Sequence, residues 1–544
     1  MKFLRKLVSL SLCLALLGPL CASASSERVY LDVPLGHWAE TVVAQAGEYG
    51  LMQGRGDGSF GLGQNLSRAE FVTILSRMFG WTGHDDMGQT YTDVPPDKWY
   101  YEAVELAAAA GVTGAGDSFR PEADITRREM AEMLVSALGY DQIAAQDWTT
   151  PFEDVNGERA GYLAVAYDIG MITGVESFGR LLFHPEDSAR REEAAAMLVR
   201  VYERYSSKIE WLHGFYAFSS YSQIDLTAAM DGVSVGWAKL EVSEDGVPWL
   251  NDTKENGNDW VKPVDFTLAT EVFEANNTPV NLNIFCSDPS AFLSQEARAA
   301  AIAAILAASE DYAGITMDVE GSPMTKEEVK DPYSSFLREL RQALPAEKTL
   351  YVCVPPNTWY HGYDYAALGE ICDKVILMAH DYQWTSVPAG YVGTDKTNTP
   401  VTPIIEVYKA LRAITDPETG VADRSKIALA ISFANVGLQV DEDGLLVQDS
   451  LYRPAVSTVY TRLSQTDTQM GWSDVYLNPY IYYHTEDGSR YRLWYEDARS
   501  VSAKVQLARL FGIHGVSLWR IGNIPDYDDE GLYFNVWETL LSQR

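Results

Sequence analysis

The residues best placed to do chemistry lie in the run Tyr312-Ala313-Gly314-Ile315-Thr316-Met317-Asp318-Val319-Glu320. Apolar and β-branched residues lead into two acids, which is the composition of a strand. Side chains at i and i+2 share one face of a strand. Thr316, Asp318 and Glu320 therefore point one way, and Ile315, Met317 and Val319 the other. Two adjacent carboxylates cannot both ionise freely, so one of the pair is expected to hold its proton above the usual range. A protonated carboxyl beside an ionised one is the equipment that acid-assisted cleavage of a glycosidic bond requires. On spacing alone, an ordinary strand end with two solvated acids is the simpler explanation, and the surroundings have to decide.

The surroundings are a chain of βα units. From Trp211 onward short apolar runs alternate with helical stretches, the mark of a parallel sheet. Eight candidate strands fall at 213–218, 233–240, 280–285, 314–320, 349–354, 374–378, 426–432 and 515–519. Helices are predicted between some of them, at 295–308, 333–343 and 500–511. Eight strands in residues 209–544 fit an α/β TIM (β/α)8 barrel with insertions, where catalytic side chains sit at the C-terminal strand ends. Asp318 and Glu320 close the fourth strand, where a barrel acid belongs.

Several stretches then resemble glycoside hydrolase family 18. Gly314 to Glu320 looks like its fourth-strand signature, and Met378-Ala379-His380-Asp381 looks like its Met-x-Tyr-Asp at the sixth strand. Gly515-Val516-Ser517-Leu518-Trp519 looks like its eighth strand. Trp494-Tyr495-Glu496-Asp497-Ala498-Arg499-Ser500 resembles the branch containing bacterial spore-cortex-lytic N-acetylglucosaminidases. The resemblance implies hydrolysis assisted by the substrate's own acetamido group, without a cofactor or metal. Glu320 would be the general acid, and Asp318 would orient the acetamide and stabilise the oxazolinium ion. Asp381 and His380 would hold the same acetamide, with Met378 part of the motif that carries them. Trp519 would floor the sugar site, and Tyr216 on the first strand is a further candidate for that pocket. The chain departs from the family at three places. Ala313 and Thr316 stand where many members have Asp, and His380 replaces Tyr. Thr316 is expected to donate a hydrogen bond to Asp318 without sharing charge. A histidine at 380 brings a group that ordinarily titrates near neutral pH.

The first 205 residues repeat. Tyr30-Leu31-Asp32-Val33-Pro34, Tyr91-Thr92-Asp93-Val94-Pro95 and Phe152-Glu153-Asp154-Val155 place an Asp at intervals of 61 residues. Each opening leads to an apolar helix, a Gly-rich turn and a second helix. Ser67 and Thr126, each with a Glu three residues later, form capping boxes at the second-helix starts. These features resemble the S-layer homology module, with copies at 29–80, 91–140 and 151–205. The resemblance implies a mostly α, pseudo-threefold unit that holds a pyruvylated secondary cell-wall polymer. Arg68, Arg127 and Arg191 fall on the family's basic position, and Trp38 and Trp99 on its aromatic one. A guanidinium fork suits a pyruvate carboxylate. The third copy has Arg190 in place of the cap and Gly161-Tyr162 near where the Trp belongs.

Composition sets the remaining bounds. Forty-two basic against 76 acidic residues give a net charge of −34, which excludes a nucleic-acid partner on electrostatic grounds. Lys2, Arg5 and Lys6, the apolar stretch 7–20 and Ala22-Ser23-Ala24 form a signal-peptide pattern, with cleavage expected after residue 24. No later run is apolar and long enough for a membrane helix. Cys286, Cys353 and Cys372 are then left, an odd number in apolar surroundings, and are expected to be buried free thiols. The eight histidines show no metal-ligand spacing. The whole points to a secreted, wall-attached glycosidase acting on β-linked N-acetylglucosamine polymers, peptidoglycan or chitin-like. The alternative is a non-catalytic glycan-binding or surface-layer protein with a degenerate barrel. The short junction at 205–210 allows the two halves to pack closely.

Overall fold

The computed structural model describes residues 30–83, 88–356, 358–396 and 400–544. The expected leader at 1–24 lies outside the described residues.

Three helical units come first. Their principal helices are α1 (Glu40–Glu48) and α2 (Arg68–Met78), α3 (Tyr101–Ala109) and α4 (Arg127–Ala137), then, after the single-turn α5 (Asp141–Ala144), α6 (Ala160–Asp168) and α7 (Arg191–Tyr205). A small hairpin, β1 (Val175–Ser177) and β2 (Arg180–Leu182), belongs to the third unit. The repeated aspartates act inside each unit. Asp32 accepts from the backbone N–H of Phe60, Gly61 and Leu62, Asp93 from Phe119 and Arg120, and Asp154 from Phe183 and His184. Both expected capping boxes are formed at Ser67 and Thr126. At the third start the Arg190 N–H still donates to Glu193, at 3.0 Å, so half of the box survives without a hydroxyl.

The units close on one another cyclically. Backbone bridges join Ser67 to Asp124, Thr126 to Ser188 and Asn65 to Arg190. The three helix-start arginines follow the same cycle. Arg68 Nε donates to Phe119 O at 2.8 Å, Arg127 Nε to Phe183 O at 2.9 Å and Arg191 Nε to Phe60 O at 2.9 Å. Each guanidinium also lies over the ring of the same phenylalanine, 4.7 to 5.1 Å from its centroid.

The second half is a closed barrel of eight parallel strands: β3 (Trp211–Tyr216), β4 (Gly232–Val242), β6 (Val280–Cys286), β7 (Gly314–Val319), β8 (Thr349–Val354), β9 (Lys374–Leu377), β10 (Ile427–Ser432) and β16 (Gly515–Trp519). The order β3-β16-β10-β9-β8-β7-β6-β4 closes through a β3–β4 pairing. Strand β5 (Pro248–Asn251) returns antiparallel on the long β4. Helices α8 (Phe266–Asn276), α9 (Ser290–Leu293), α10 (Gln295–Ala308), α11 (Lys330–Ala343), α12 (Tyr365–Ile371) and α13 (Ile404–Ile414) lie between the strands. Ile315, Met317 and Val319 are buried on the outer face of β7, as the alternation requires.

One element was not foreseen. Between β10 and the last barrel strand the chain builds a five-stranded antiparallel sheet from β11 (Val436–Val440), β12 (Leu446–Tyr452), β13 (Gln469–Ser473), β14 (Asn478–His484) and β15 (Arg490–Trp494). Helix α14 (Val456–Leu463) interrupts it, and α15 (Ala498–Leu510) and α16 (Val536–Ser542) complete the chain. A buried ionic cluster joins this sheet to the barrel. Lys504 Nζ on α15 bonds Glu496 at 2.8 Å and Asn478 Oδ1 on β14 at 3.1 Å, and Thr402 donates to the same glutamate.

The two halves are in direct contact. Asp168 on α6 accepts from Arg412 at 2.9 Å and from the Tyr408 hydroxyl, both on α13. Arg204 on α7 donates to Leu510 O at 2.8 Å, and Arg509 returns a bond to Ser207 O at 2.7 Å.

Candidate active site and surface grooves

The sequence folds so that inward side chains of adjacent strands stack in layers. In register, Asn283 lies opposite Thr316 and Phe285 opposite Asp318 on β6 and β7, and Ser517 lies opposite His213 on β16 and β3. The upper layer forms a cleft with an empty volume of about 710 Å³. Asp318, Glu320, Met378, His380, Asp381 and Trp519 all line it, together with Phe215, Pro355, Pro356, Trp359, Tyr360 and Tyr382.

Asp318 is buried at the end of β7. Glu320 sits one residue past the strand, where its N–H donates to Cys286 O at 2.9 Å, and it is partly open to the cleft. Gly321 follows with φ +114°, a backbone that lets the chain turn away at once. Burial pushes the Asp318 carboxyl well above the usual range. The charge of Glu320 and the hydrogen bond shared with it push the same way, and the amide of Asn283 works against them. Crowding and burial in the cleft thus favour the protonated form of Asp318.

Asp381 stands on the cleft rim, with φ +63°. One side of it is enclosed, which disfavours its charge. His380 Nδ1 at 2.9 Å, Gln383 at 3.3 Å and the nearby Arg453 outweigh that and hold the carboxyl below the usual range. The Trp519 ring packs edge-on to Phe215 at 5.2 Å and lies 6.4 Å from Trp260, which itself stacks on Phe285 at 4.8 Å. Aromatic walls of this kind suit the C–H faces of a pyranose.

Two expected cleft residues lie elsewhere. Tyr216 faces outward, edge-on to Trp237 and Phe273 at 6.4 and 5.4 Å, because Phe215 takes the inward position on β3. Thr316 lies below the cleft and bonds the Ser234 hydroxyl at 2.6 Å, so it is not the predicted donor to Asp318. Trp359 and Tyr360 were missed, although an aromatic pair just after a barrel strand was a usable signal. Phe215 and Trp260 carried no such signal. Among the described residues no cluster of His, Cys, Asp or Glu could hold a metal ion, and the three cysteines are free and buried.

Two surface grooves of about 650 Å³ each lie on the helical half among the described residues. One is lined by Arg55, Glu70, Arg77, Trp99 and Arg191, the other by Trp38, Arg127, Glu193 and Arg200. They are equivalent under the repeat. Trp38 and Trp99 are exposed, at 60% and 66%. Arg127 and Arg191 contribute the groove floor while braced from behind. Arg68 is 8% exposed and committed to Phe119 O and Glu129. At that third junction Ala160 stands where the other units have Trp, and Arg159 pairs with Glu132 at 2.8 Å across the space.

The closed parallel barrel is a TIM-barrel architecture, and the acidic pair lies in an aromatic-walled cleft at the C-terminal strand ends, where such barrels carry their functional groups. Residues 289–523 match glycosyl hydrolases family 18, and residues 29–72 and 90–131 match the S-layer homology domain. The chain therefore carries S-layer homology domains followed by a glycosyl hydrolase family 18 domain. It is 25% identical over 204 residues to the cortical fragment-lytic enzyme of Bacillus anthracis, which is 36% of this chain and 44% of that one. It is 27% identical over 190 residues to S-layer protein EA1 of Bacillus anthracis, 34% of this chain and 21% of that one. The chain thus spans less than half the length of these curated relatives. The structure of the Bacillus cereus spore cortex-lytic enzyme SleL aligns over 68% of this chain and 78% of that one, with a TM-score of 0.48 and 18% identity.

Proposed function

We propose that this protein is a cell-wall-anchored glycosidase that hydrolyses β-linked N-acetylglucosamine-containing glycans, with peptidoglycan the first substrate and chitin-like chains the second. The observation that carries this is the buried Asp318 and, two residues on at the end of the same strand, Glu320, both lining the aromatic cleft. Glu320 protonates the glycosidic oxygen as the bond to the leaving sugar breaks. The carbonyl oxygen of the substrate's acetamido group attacks the anomeric carbon. Asp318 accepts a hydrogen bond from the acetamido N–H and offsets the positive charge of the oxazolinium ion. Glu320, now ionised, takes a proton from the water that opens the ring. Asp381, held ionised beside His380, provides a second acceptor at the same pocket, and Trp519 gives the sugar an apolar floor.

The helical half is the anchor. The structural equivalence of 151–205 with the two matched domains supports reading it as a third module. Two grooves combine an exposed tryptophan with a guanidinium floor, which suits a wall polymer bearing a pyruvylated sugar. The third junction lacks the tryptophan and carries the Arg159–Glu132 pair instead, so two sites per chain are expected. The leader pattern and the helical half together support reading the protein as secreted and held at the cell surface.

The test is release of reducing ends from purified peptidoglycan and from N-acetylglucosamine oligosaccharides by the wild type and by Glu320→Gln. A loss of roughly a hundredfold or more in the variant is expected, the scale of a general acid. Equal binding by both proteins with cleavage by neither would make the barrel a lectin.

A further inference from the structure

The middle of the barrel holds a polar layer directly beneath the acidic pair. His213, Ser234, Asn283, Thr316 and Ser517 are all 0% exposed. Four of them form a chain: Ser517 Oγ to His213 Nδ1 at 2.8 Å, His213 Nε2 to Ser234 Oγ at 2.8 Å, and Ser234 Oγ to Thr316 Oγ1 at 2.6 Å. Burial pushes His213 down to about 3, so its ring is neutral and carries one donor and one acceptor. Its two ring nitrogens are both used within the chain.

Asn283 is the member left over. Neither Nδ2 nor Oδ1 of its amide makes a hydrogen bond of good geometry among the described residues, and Asp318 Oδ1, equally buried, has none either. Buried orphans of this kind are rare in native interiors. Here two of them occupy neighbouring inward positions, since Asn283 is opposite Thr316 and one step below the level of Asp318. The resemblance puts an acid at 316 in many relatives, and this chain has a threonine whose hydroxyl is engaged by Ser234.

Resting on the function proposed above, we infer that Asn283 is a positioning residue for the reaction: its amide N–H supports the inner oxygen of Asp318 and holds that carboxylate ionised while Glu320 delivers its proton. Burial and Glu320 both favour the neutral form of Asp318, and Asn283 is the neighbour that opposes them. Other groups around the pair do not compete for the role. Cys353 on β8, Tyr333 on α11 and Tyr363 beyond β8 are all driven further into their protonated forms by burial. Cys286 on β6 is pushed up to about 12, and Tyr360, facing Glu320, is also raised. His380 and Asp381, consecutive on the cleft wall, pair with each other.

The experiment compares kcat and KM against pH for the wild type, Asn283→Leu, Asn283→Asp and Asn283→Ser on N-acetylglucosamine oligosaccharides, with Glu320→Gln as the reference for lost catalysis. Removing the donor raises the pKa of Asp318, so activity needing its ionised form fails at higher pH. Asn283→Leu is expected to move the acid limb of kcat upward by on the order of one pH unit, with kcat down about tenfold and KM within about twofold. Asn283→Asp, nearly the same shape, should move the limb at least as far, and it reads the effect if the leucine variant does not fold. Asn283→Ser, which keeps a donor, should restore the limb toward the wild type. An unmoved acid limb in Asn283→Asp, with wild type active and Glu320→Gln inactive, overturns the role of Asn283 alone. A wild type no more active than Glu320→Gln overturns the glycosidase function and this role with it.

Discussion

Asp318 and Glu320 meet in one cleft because strand geometry puts them on one face, and burial raises the carboxyl of Asp318. That much was legible in the sequence, since period two needs only the strand. The orientation of Tyr216 was not, because the inward position on β3 belongs to its neighbour Phe215, and both are aromatic. The depth of Thr316 was likewise hidden, since its partner Ser234 lies 82 residues away. The helix-start arginines were found by their spacing, yet their Nε atoms brace the next unit, a contact that spacing does not encode. A paired substitution separates the two aromatic positions. Trp519→Ala should raise KM for oligosaccharide by about tenfold, the scale of a lost aromatic floor, whereas Tyr216→Phe should leave kcat/KM within about twofold. Steady-state kinetics on N-acetylglucosamine oligosaccharides reads both, and a large loss in Tyr216→Phe alone would return that residue to the site.

At the scale of elements, the eight barrel strands were visible as apolar runs bounded by turns, and the repeat was visible as a fixed interval. The sheet β11–β15 was missed because it is antiparallel and two of its strands, β12 and β13, are largely exposed, so their apolar runs are broken by polar residues. Its attachment rests on Glu496 and Lys504, a fully buried pair whose partners come from three segments. The helical units differ from one another in a way that the repeat conceals. Trp38 and Trp99 mark two open grooves, and at the third junction Arg159 pairs with Glu132 where a tryptophan is absent. Trp38→Ala and Trp99→Ala should each weaken sedimentation with purified cell walls, and the double variant should lose nearly all of it. Arg159→Ala should leave binding unchanged. Two substitutions without effect on sedimentation would show that the grooves are not the anchor.

In the whole molecule the helical half and the barrel are joined by Asp168, Tyr408 and Arg412 on one side and by Arg204 and Arg509 on the other. A wall-bound chain would therefore present its cleft in a fixed attitude to the anchor rather than on a tether. The net charge of −34 lets anionic glycan approach only where arginine is concentrated, which in this chain includes the grooves. The short junction at 205–210 was a sequence sign of this closeness, but the pairing of α6 with α13 joins residues some 240 positions apart and could not be read from it. The central claim is that the substrate's own acetamide does part of the work, with Asp318 and Glu320 arranged around it. The most direct measurement is cleavage, by the full chain, of matched oligosaccharides of N-acetylglucosamine and of glucosamine lacking the acetyl group. Hydrolysis of the acetylated chain with a rate at least about a hundredfold above that of the other is predicted, the scale of a missing catalytic group. Equal cleavage of both would contradict the account.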